Sequence, residues 1–390
     1  LKPLIVLNSH PIQYFVPLYQ EAVRQGLPLE VWYCSSYGLK GETDLEFNTR
    51  VKWDLPMLEG YSYRFLKNAS PRPSIYGFWG LLNLEVLFLL FRQPPSVVLV
   101  HGWGYATHWL CIMMARLAGH TVCLRGEAPL CHENGRQGLK AALRKHALRF
   151  LFDKVHFFLY IGQENRAFYR HHGIPEERLL FAPYAVDNGR FHRAYEELRT
   201  QREALRRELG LPPDKRIVLY SGKYIPKKRP LDLLAAFAAC PHRASACLVF
   251  MGEGPLRPEM EAFIEREGLD NVVLTGFVNQ SAVSKYYAAA DLFVMCSAEG
   301  ETWGLSTNEA MNFHLPVLLS DLTGSHADLV RESENGFVFP TGDVKALQEY
   351  LTRLLGLPEE ELRAMGEASA RIVRMYSYEE IIAALRKVAG

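Results

Sequence analysis

Two glutamates, Glu301 and Glu309, stand eight positions apart in SAEGETWGLSTNEAM, the stretch from Ser297 to Met311. Carboxylates are good acceptors for paired hydroxyls. If the interval were wholly helical the two would lie about 12 Å apart along the axis, a figure that a turn at its start changes. A span of that order suits a nucleotide-sugar, from ribose through diphosphate to sugar ring. Glu309 is then placed to hold the ribose 2′- and 3′-hydroxyls, and Glu301 the hydroxyls of the sugar. Between them Gly300 and Gly304 flank a strand-to-helix turn, completed by Thr302 and Trp303, where glycine lets the backbone approach a ligand. The first helix N–H groups, near Leu305, Ser306 and Thr307, have no intrahelical partner. They carry the positive end of the helix dipole, which favours a phosphate by ~0.3–1 kcal/mol at an exposed site. The plainer alternative has Glu301 capping the helix and Glu309 solvated. The setting of Glu309, between Asn308 and Ala310-Met311 beyond a glycine-rich strand edge, weighs against it.

A second group of residues suits the phosphates themselves. In YSGKYIPKKRP, Lys223 follows the strand end at Tyr220 almost directly, and Lys228 lies five further on, before the helix signal at Pro230. Cations aimed at a sheet edge stabilise a diphosphate; the alternative is a solvated basic loop. GEGP, with Gly252 and Gly254, is a weaker signal that a simple turn also explains.

The elements that must position these groups alternate strand and helix, which argues for α/β architecture with parallel sheets. The apolar runs 4–7, 29–34, 97–101, 121–125 and 155–160 read as strands. The pattern then restarts at RIVLYSGKYIPKKRPLDLLAAF, with further apolar runs that each break into a small-residue loop. The expected fold is therefore two Rossmann-like domains, each a βαβ-type sheet, with loops facing across a cleft and the join in YAVDNGRFHR, 184–193. The segment TQREALRRELGLPPDK after the join reads as a polar helix with a solvated face. The most apolar stretch, 78–91, is too short for a membrane span and fits a core helix.

Composition narrows the class further. The 390 residues suggest two domains, and 48% apolar against 22% charged residues allow a packed core. A net charge of +1 gives no global pull toward nucleic acid or an anionic membrane. Seven scattered cysteines form no CxxC pair and read as reduced thiols of a cytosolic protein. No signal peptide is legible, and Leu1 is not a natural start.

At this point the residues resemble the retaining GT-B glycosyltransferases of family four. Their pattern of Glu, seven residues, Glu stands here as Glu301-Thr-Trp-Gly-Leu-Ser-Thr-Asn-Glu309-Ala-Met. Their G-R-L-x-x-x-K stands as Gly222-Lys223-Tyr-Ile-Pro-Lys-Lys228, and their G-x-G-P as Gly252-Glu-Gly254-Pro255. Their F-x-G-x-V before the base-binding loop stands as Leu274-Thr-Gly276-Phe277-Val278. A later motif is matched loosely by Ser325 and Asp328. The resemblance is specific over 216–343 and looser before 190. It implies domains at 1–188, completed by a final helix over 376–390, and at 193–375. Two further departures stand out. Lys223 replaces the usual arginine and loses its bidentate fork. The usual histidine after a strand of the first domain is missing. CLRGEAP stands there instead, so that Arg125 or Glu127 takes that place or the role is absent.

What the resemblance implies is a hexosyltransferase of carbohydrate biosynthesis, making glycans, glycolipids or glycosylated metabolites. A sugar moves from a nucleoside-diphosphate sugar to an acceptor hydroxyl with retention. Lys223, Lys228 and the helix N-terminus stabilise the departing diphosphate, with Glu301 at the sugar. The donor contacts are Gly222, Gly254, Phe277, Val278, Thr302, Trp303, Gly304, Leu305, Ser306 and Glu309. No metal and no cofactor beyond the co-substrate is expected, since the chain has no DxD motif. The acceptor is expected against loops of the first domain: His10, Gln13, Tyr14, His101, Trp103, Tyr105, Arg125 and Glu127. For His101 a satisfied core position is an equal alternative; His108 and Trp109 read as core, and His171-His172 as a surface pair at a helix end. The basic, leucine-bearing segment 135–155, with Leu139, Leu143, Leu148 and Leu151, reads as a core-packed helix or as one lying on anionic lipid. Peripheral contact with the inner membrane face is thus open for a cytoplasmic protein. The rival readings are a sugar-nucleotide epimerase and a non-catalytic nucleotide-sugar-binding protein. Base, sugar, acceptor and oligomeric state are not legible.

Overall fold

The computed structural model describes residues 1–39, 43–44, 49–50, 54–133 and 138–390. Two compact units emerge. The first comprises Leu1–Glu42, Leu55–Tyr184 and Tyr378–Gly390; the second comprises Thr43–Asp54 and Ala185–Ser377.

The first unit is built on a seven-stranded parallel sheet. Its strands in chain order are Leu4–Asn8, Leu29–Tyr33, Ser62–Phe65, Val97–His101, Thr121–Arg125, Phe157–Tyr160 and Leu179–Phe181, and their spatial order is 3-2-1-4-5-6-7. Every residue of the first strand is buried, because helices cover both faces of a parallel sheet and no side can be polar. The final helix, Tyr378–Ala389, closes this unit. Ile381, Ile382 and Leu385 pack inward, while Glu379 and Glu380 in its first turn and Arg386 and Lys387 in its last oppose the helix dipole. The Lys2 N–H donates to the Ala389 carbonyl at 2.8 Å, tying the chain's two ends together.

One expectation fails in this unit and a second is met in part, since 135–155 is core-packed through Leu148, Leu151 and Phe152. The stretch 78–91 is not a core helix. Asn83 is fully buried, donates through its side chain to the Cys34 and Leu66 carbonyls, and accepts from the Thr107 hydroxyl. That network fixes a break between a short 3₁₀ turn, Phe78–Gly80, and a helix, Val86–Arg92. The helix turns Val86 and Leu90 inward and leaves Phe88 67% and Phe91 57% exposed. Likewise, the leucines of 135–155 do not share one face. In the helix Leu139–Phe152, Leu148, Leu151 and Phe152 are buried whereas Leu139 and Leu143 are exposed; residues 134–137 lie outside the described residues.

The second unit carries a six-stranded parallel sheet: Arg216–Ser221, Ala246–Met251, Val272–Leu274, Leu292–Met295, Val317–Ser320 and Gly336–Phe339, in spatial order 3-2-1-4-5-6. This is the order of a doubly wound dinucleotide-binding sheet. The direction of winding reverses between Arg216–Ser221 and Leu292–Met295, which pair in register at Val218 and Leu292. Loops beyond the carboxyl ends of those two strands are where ligands bind in such sheets. The polar helix after the join, Arg202–Glu208, is not simply solvated. Arg206 is buried, pairs with Asp291 and donates to the Ala289, Pro213 and Lys215 carbonyls. Asp291 in turn accepts the Ile217 N–H at 2.6 Å, so the helix is fastened to the start of the central strand. All seven cysteines are free, six of them buried.

Candidate active site

At the reversal point of the second sheet, two loops of opposite charge meet. The first leaves Ser221 and carries Lys223, Lys227 and Lys228; the second leaves Met295 and carries Glu301. The Ala298 N–H donates to the Lys227 carbonyl, at 2.6 Å, stitching the loops together. Lys228 forms an ion pair with Glu301, and their side chains are only 15% and 13% exposed. The Ser297 hydroxyl donates to the same carboxylate at 3.3 Å. Burial pushes the Glu301 carboxyl up. The Lys228 and Lys227 cations and the Ser297 hydroxyl pull it down further, leaving it below the usual carboxylate range and ionised.

Glycines make this geometry possible. Gly304 holds φ 91° at the helix N-cap, and a Cβ there would lie 2.6 Å from the Met295 sulfur. The helix Leu305–Asn312 therefore begins with no side-chain cap on its first N–H groups. The Ser306 hydroxyl donates to the Ser221 carbonyl at 3.2 Å and pins this end to the central strand. On the far side, the Gly324 N–H donates to the Glu301 carbonyl, and a Cβ on Gly324 would strike the Thr302 carbonyl at 2.0 Å.

The other donor-side candidates divide. Glu309 is 2% exposed and accepts from the Tyr287 hydroxyl at 2.7 Å, so it is not a solvated helix residue. Trp303 turns away from solvent: it is 2% exposed, donates to the Asn308 side chain at 2.8 Å and packs on Tyr376. Its expected place among donor contacts gives way to a core role, because an indole buries a large apolar surface once its N–H is satisfied. Leu305 is also buried, and Thr302 is half-buried. Gly252 and Gly254 have a packing reason, whereas a Cβ on Gly222 would meet only the Tyr220 side chain, at 3.4 Å. The Gly222 carbonyl lies 1.9 Å from where a Cβ of Gly252 would stand, and a Cβ on Gly254 would meet Tyr224 backbone at 2.6 Å. The loops after the first two strands are thus packed backbone to backbone. Phe277 and Val278 follow Gly276, which has φ 77° and accepts the Gly252 N–H. Lys223 is half-buried in the first loop, where its carbonyl accepts from the Tyr220 hydroxyl. Asp328 accepts from the Tyr376 hydroxyl at 3.0 Å in the interior.

In the first unit, His101 and Arg125 end neighbouring strands and are register partners. Arg125 is 2% exposed, its guanidinium lying 4.7 Å from the Tyr184 ring and 5.3 Å from that of Phe15. One of its nitrogens donates to the Pro183 carbonyl and another lies 3.7 Å from Glu127. Glu127 is the more open of the pair, with its side chain 32% exposed. Of the two residues offered in place of the missing histidine, Arg125 therefore faces inward and Glu127 outward. Burial, Arg125 and His108 hold the His101 imidazole well below its ordinary pKa, so it is neutral. Its ring packs on Phe15.

Trp103 and Tyr105 are not free platforms for sugar stacking. Trp103 stacks on Phe168 with 8° between the rings, and Tyr105 donates to the Ile75 carbonyl at 2.6 Å. Gly126 is needed there, since a Cβ would lie 2.1 Å from the Trp103 ring. His10 meets the Ser9 hydroxyl at 2.9 Å and the edge of Tyr37; Gln13 is buried, and the Tyr14 carbonyl accepts from Tyr378. Of the expected surface pair, His171 is exposed, whereas His172 is half-buried: its ring packs on Phe168, and burial lowers its pKa to about 4. Residues that the sequence did not single out are Ser297, Lys227 and Tyr287. Their partners lie 4, 74 and 22 positions away, and only for Ser297 does proximity in sequence signal the contact.

Residues 201–372 match the family "Glycosyl transferases group 1". Over 206 residues the chain is 30% identical to alpha-D-kanosaminyltransferase of Streptomyces kanamyceticus, covering 52% of each protein. It is 31% identical to D-inositol 3-phosphate glycosyltransferase of Segniliparus rotundus over 52% of this chain and 44% of that one. The chain spans about half the length of these relatives. Among solved structures, Anabaena HepE in complex with UDP superposes with TM-score 0.74 at 15% identity, over 99% of each chain. HepE has also been solved with UDP-glucose, at TM-score 0.70, 15% identity, and coverage of 100% of this chain and 98% of that one. The chain has the two-Rossmann-domain fold of the GT-B glycosyltransferases, and its second unit matches glycosyl transferases group 1 over nearly its whole length.

Proposed function

We propose that this protein is a retaining, metal-independent glycosyltransferase of family four that moves a sugar from a nucleoside-diphosphate donor to an acceptor hydroxyl. The observation that carries this reading is the Lys228–Glu301 ion pair at the reversal point of the second sheet, beside an uncapped helix N-terminus. The two charges neutralise each other. A diphosphate can take Lys228, together with Lys223 and the N–H groups of Leu305 and Ser306, and so release Glu301 to accept from sugar hydroxyls; the Thr307 N–H already donates to the Gly304 carbonyl. Glu309, held by Tyr287, is the ribose acceptor in this reading.

In the chemical step the bond from the anomeric carbon to the diphosphate oxygen breaks, and a bond to the acceptor oxygen forms on the same face. The acceptor's proton passes to the departing phosphate. Charge grows on the diphosphate, where fixed cations and backbone N–H groups in a half-buried site stabilise it with little reorganisation. No protein nucleophile is required. Among the described residues no three His, Cys, Asp or Glu side chains group to hold a metal ion. His10, Gln13 and Glu127 are the acceptor-side groups. UDP-sugars are the first donors to test, because HepE has been solved with UDP-glucose. A cytoplasmic location suits the free thiols.

Isothermal titration of UDP and GDP, followed by nucleotide release from a panel of their sugars with and without hydroxyl acceptors, tests the reading. Acceptor-dependent release of the nucleoside diphosphate is expected. An isomerised donor formed without acceptor would replace transferase with epimerase. Binding without turnover over the whole panel would leave a binding protein.

A further inference from the structure

Three helices of the first unit form one layer: Val86–Arg92 packs on Ala106–Leu117, which packs on Leu139–Phe152. Together they carry six Lys and Arg residues and no Asp or Glu, in a chain whose totals are 44 and 43. Their outward surface is also apolar. Trp79 beside the first helix is 69% exposed, Phe88 67%, Phe91 57%, Leu139 76%, Leu143 61% and Phe150 47%. On the helix Leu139–Phe152, at about 100° per residue, Leu139, Leu143 and Phe150 fall within about 40° of one another. They lie opposite the buried Leu148, Leu151 and Phe152. The helix thus has two apolar faces: one packs on the sheet and the other meets solvent. Lys140 and Arg149 stand exposed on the two flanks of the outer stripe, Lys145 is exposed farther round the helix, and the Lys154 ammonium lies 5.1 Å from the centre of the Phe150 ring.

We infer that this layer docks on the surface of an anionic bilayer, the aromatic and leucine side chains entering the headgroup region and the cations meeting lipid phosphates. No helix among the described residues is long and apolar enough to cross a membrane, so the mode is interfacial. Charge selects this occupant. Arg144 is paired with Glu133, and Glu85 and Asp153 flank the helices, but the layer keeps an excess of cations that would repel a second copy of itself, whereas each unpaired Lys or Arg gains about fivefold in partition on an anionic surface. The exposed aromatic side chains suit the boundary between water and acyl chain. The inference does not depend on sugar transfer.

The test is co-sedimentation of the full chain, without nucleotide or acceptor, with phosphatidylcholine vesicles with and without phosphatidylglycerol. Binding to the anionic vesicles is expected, weakening with added salt. Two variants are compared at exposed positions: Leu143→Gln with Phe150→Gln, and Lys140→Gln with Lys145→Gln and Arg149→Gln. Each is expected to lower partition about tenfold or more with an unchanged melting temperature. Absence of sedimentation, equal binding to both vesicle types, or binding that neither variant alters would overturn the inference. So would self-association in solution that the Leu143→Gln, Phe150→Gln variant abolishes, which would give the stripe to a second copy. Because no donor enters the assay, failure here leaves the transferase reading standing.

Discussion

The two units share a winding order, 3-2-1-4-5-6, over their first six strands, yet treat charge and apolar surface in opposite ways. At the reversal point of the second, a lysine and a glutamate face each other in a half-buried pair that a charged ligand can separate. In the first, the arginine at the strand edge lies against two mutually stacked rings, and the neighbouring histidine is kept neutral. The outer surfaces differ as sharply. Of fourteen large apolar side chains that stand exposed among the described residues, all but Met375 belong to the first unit. One backbone plan thus supports an electrostatic site in one copy and an apolar, cationic surface in the other. The fold positions loop ends, and the side chains placed there decide what the loops do.

The largest expected effect separates the two edges by chemistry. Lys228→Ala or Glu301→Ala should lower turnover by about 10²–10³, measured as acceptor-dependent nucleotide release. The Glu301→Ala variant should bind free nucleoside diphosphate almost as before, since Lys228 remains. Glu309→Ala should instead weaken binding of free UDP or GDP. If both glutamate variants keep full activity, the charged edge is not the catalytic one.

Next comes the fastening of the second unit. Arg206→Ala removes one of the two arginines on Asp291, Arg202 remaining, and strands the Ala289, Pro213 and Lys215 carbonyls; it should cost about 1–3 kcal/mol, read by urea denaturation. Replacing Gly324 with Ala drives a Cβ into the Thr302 carbonyl and should cost about 1–3 kcal/mol, with loss of donor binding because Glu301 shifts with it.

Acid should find the first unit through its buried histidines. Burial lowers His108 to about 4 from an ordinary 6.5, with a Gly102 backbone contact opposing, and lowers His172 to about 4. Their folded pKa values lie below the unfolded ones, so between about pH 6.5 and 4 the unfolded chain binds more protons. Stability is therefore full above that window and falls as pH drops through it, by up to about 3 kcal/mol for the fully buried His108. Thermal melts from pH 7 to 4 should show the decline, and His108→Leu should flatten it. The smallest effect is expected at the outer layer: Leu139→Gln should change stability by less than about 0.5 kcal/mol, since its side chain has no core to leave.

How legible all this was depends on the range of each interaction. Periodicity along the chain located the strands and the restart of the pattern, because a strand buried on both faces must be apolar throughout. The carboxylate spacing, the lysine loop and the glycines singled out the edge that the structure brings together. Trp103, Tyr105 and Trp303 misled because an aromatic residue in a glycine-rich loop has the same sequence signature whether it faces a ligand or fills a core. Arg206 misled similarly: a basic helix signals a solvated face, and its acceptor, Asp291, lies 85 residues away. The stretch 78–91 reads as a core helix because it is strongly apolar, interrupted only by Asn83 and Glu85, and too short to span a membrane. The four buried hydrogen bonds of Asn83, to partners 17 to 49 positions distant, instead break the run.

What the sequence alone determined is therefore the alternation of strand and helix, the parallel sheets, and the pairing of a cationic loop with a carboxylate at a glycine turn. Each of these is local, set by side-chain period, by backbone freedom or by fixed spacing. Only the tertiary structure decided which side of each helix meets the sheet, which rings are consumed in packing, and which ions find a partner. Those outcomes depend on contacts between residues far apart in the chain, and no local pattern carries the energy of a contact whose second half lies elsewhere.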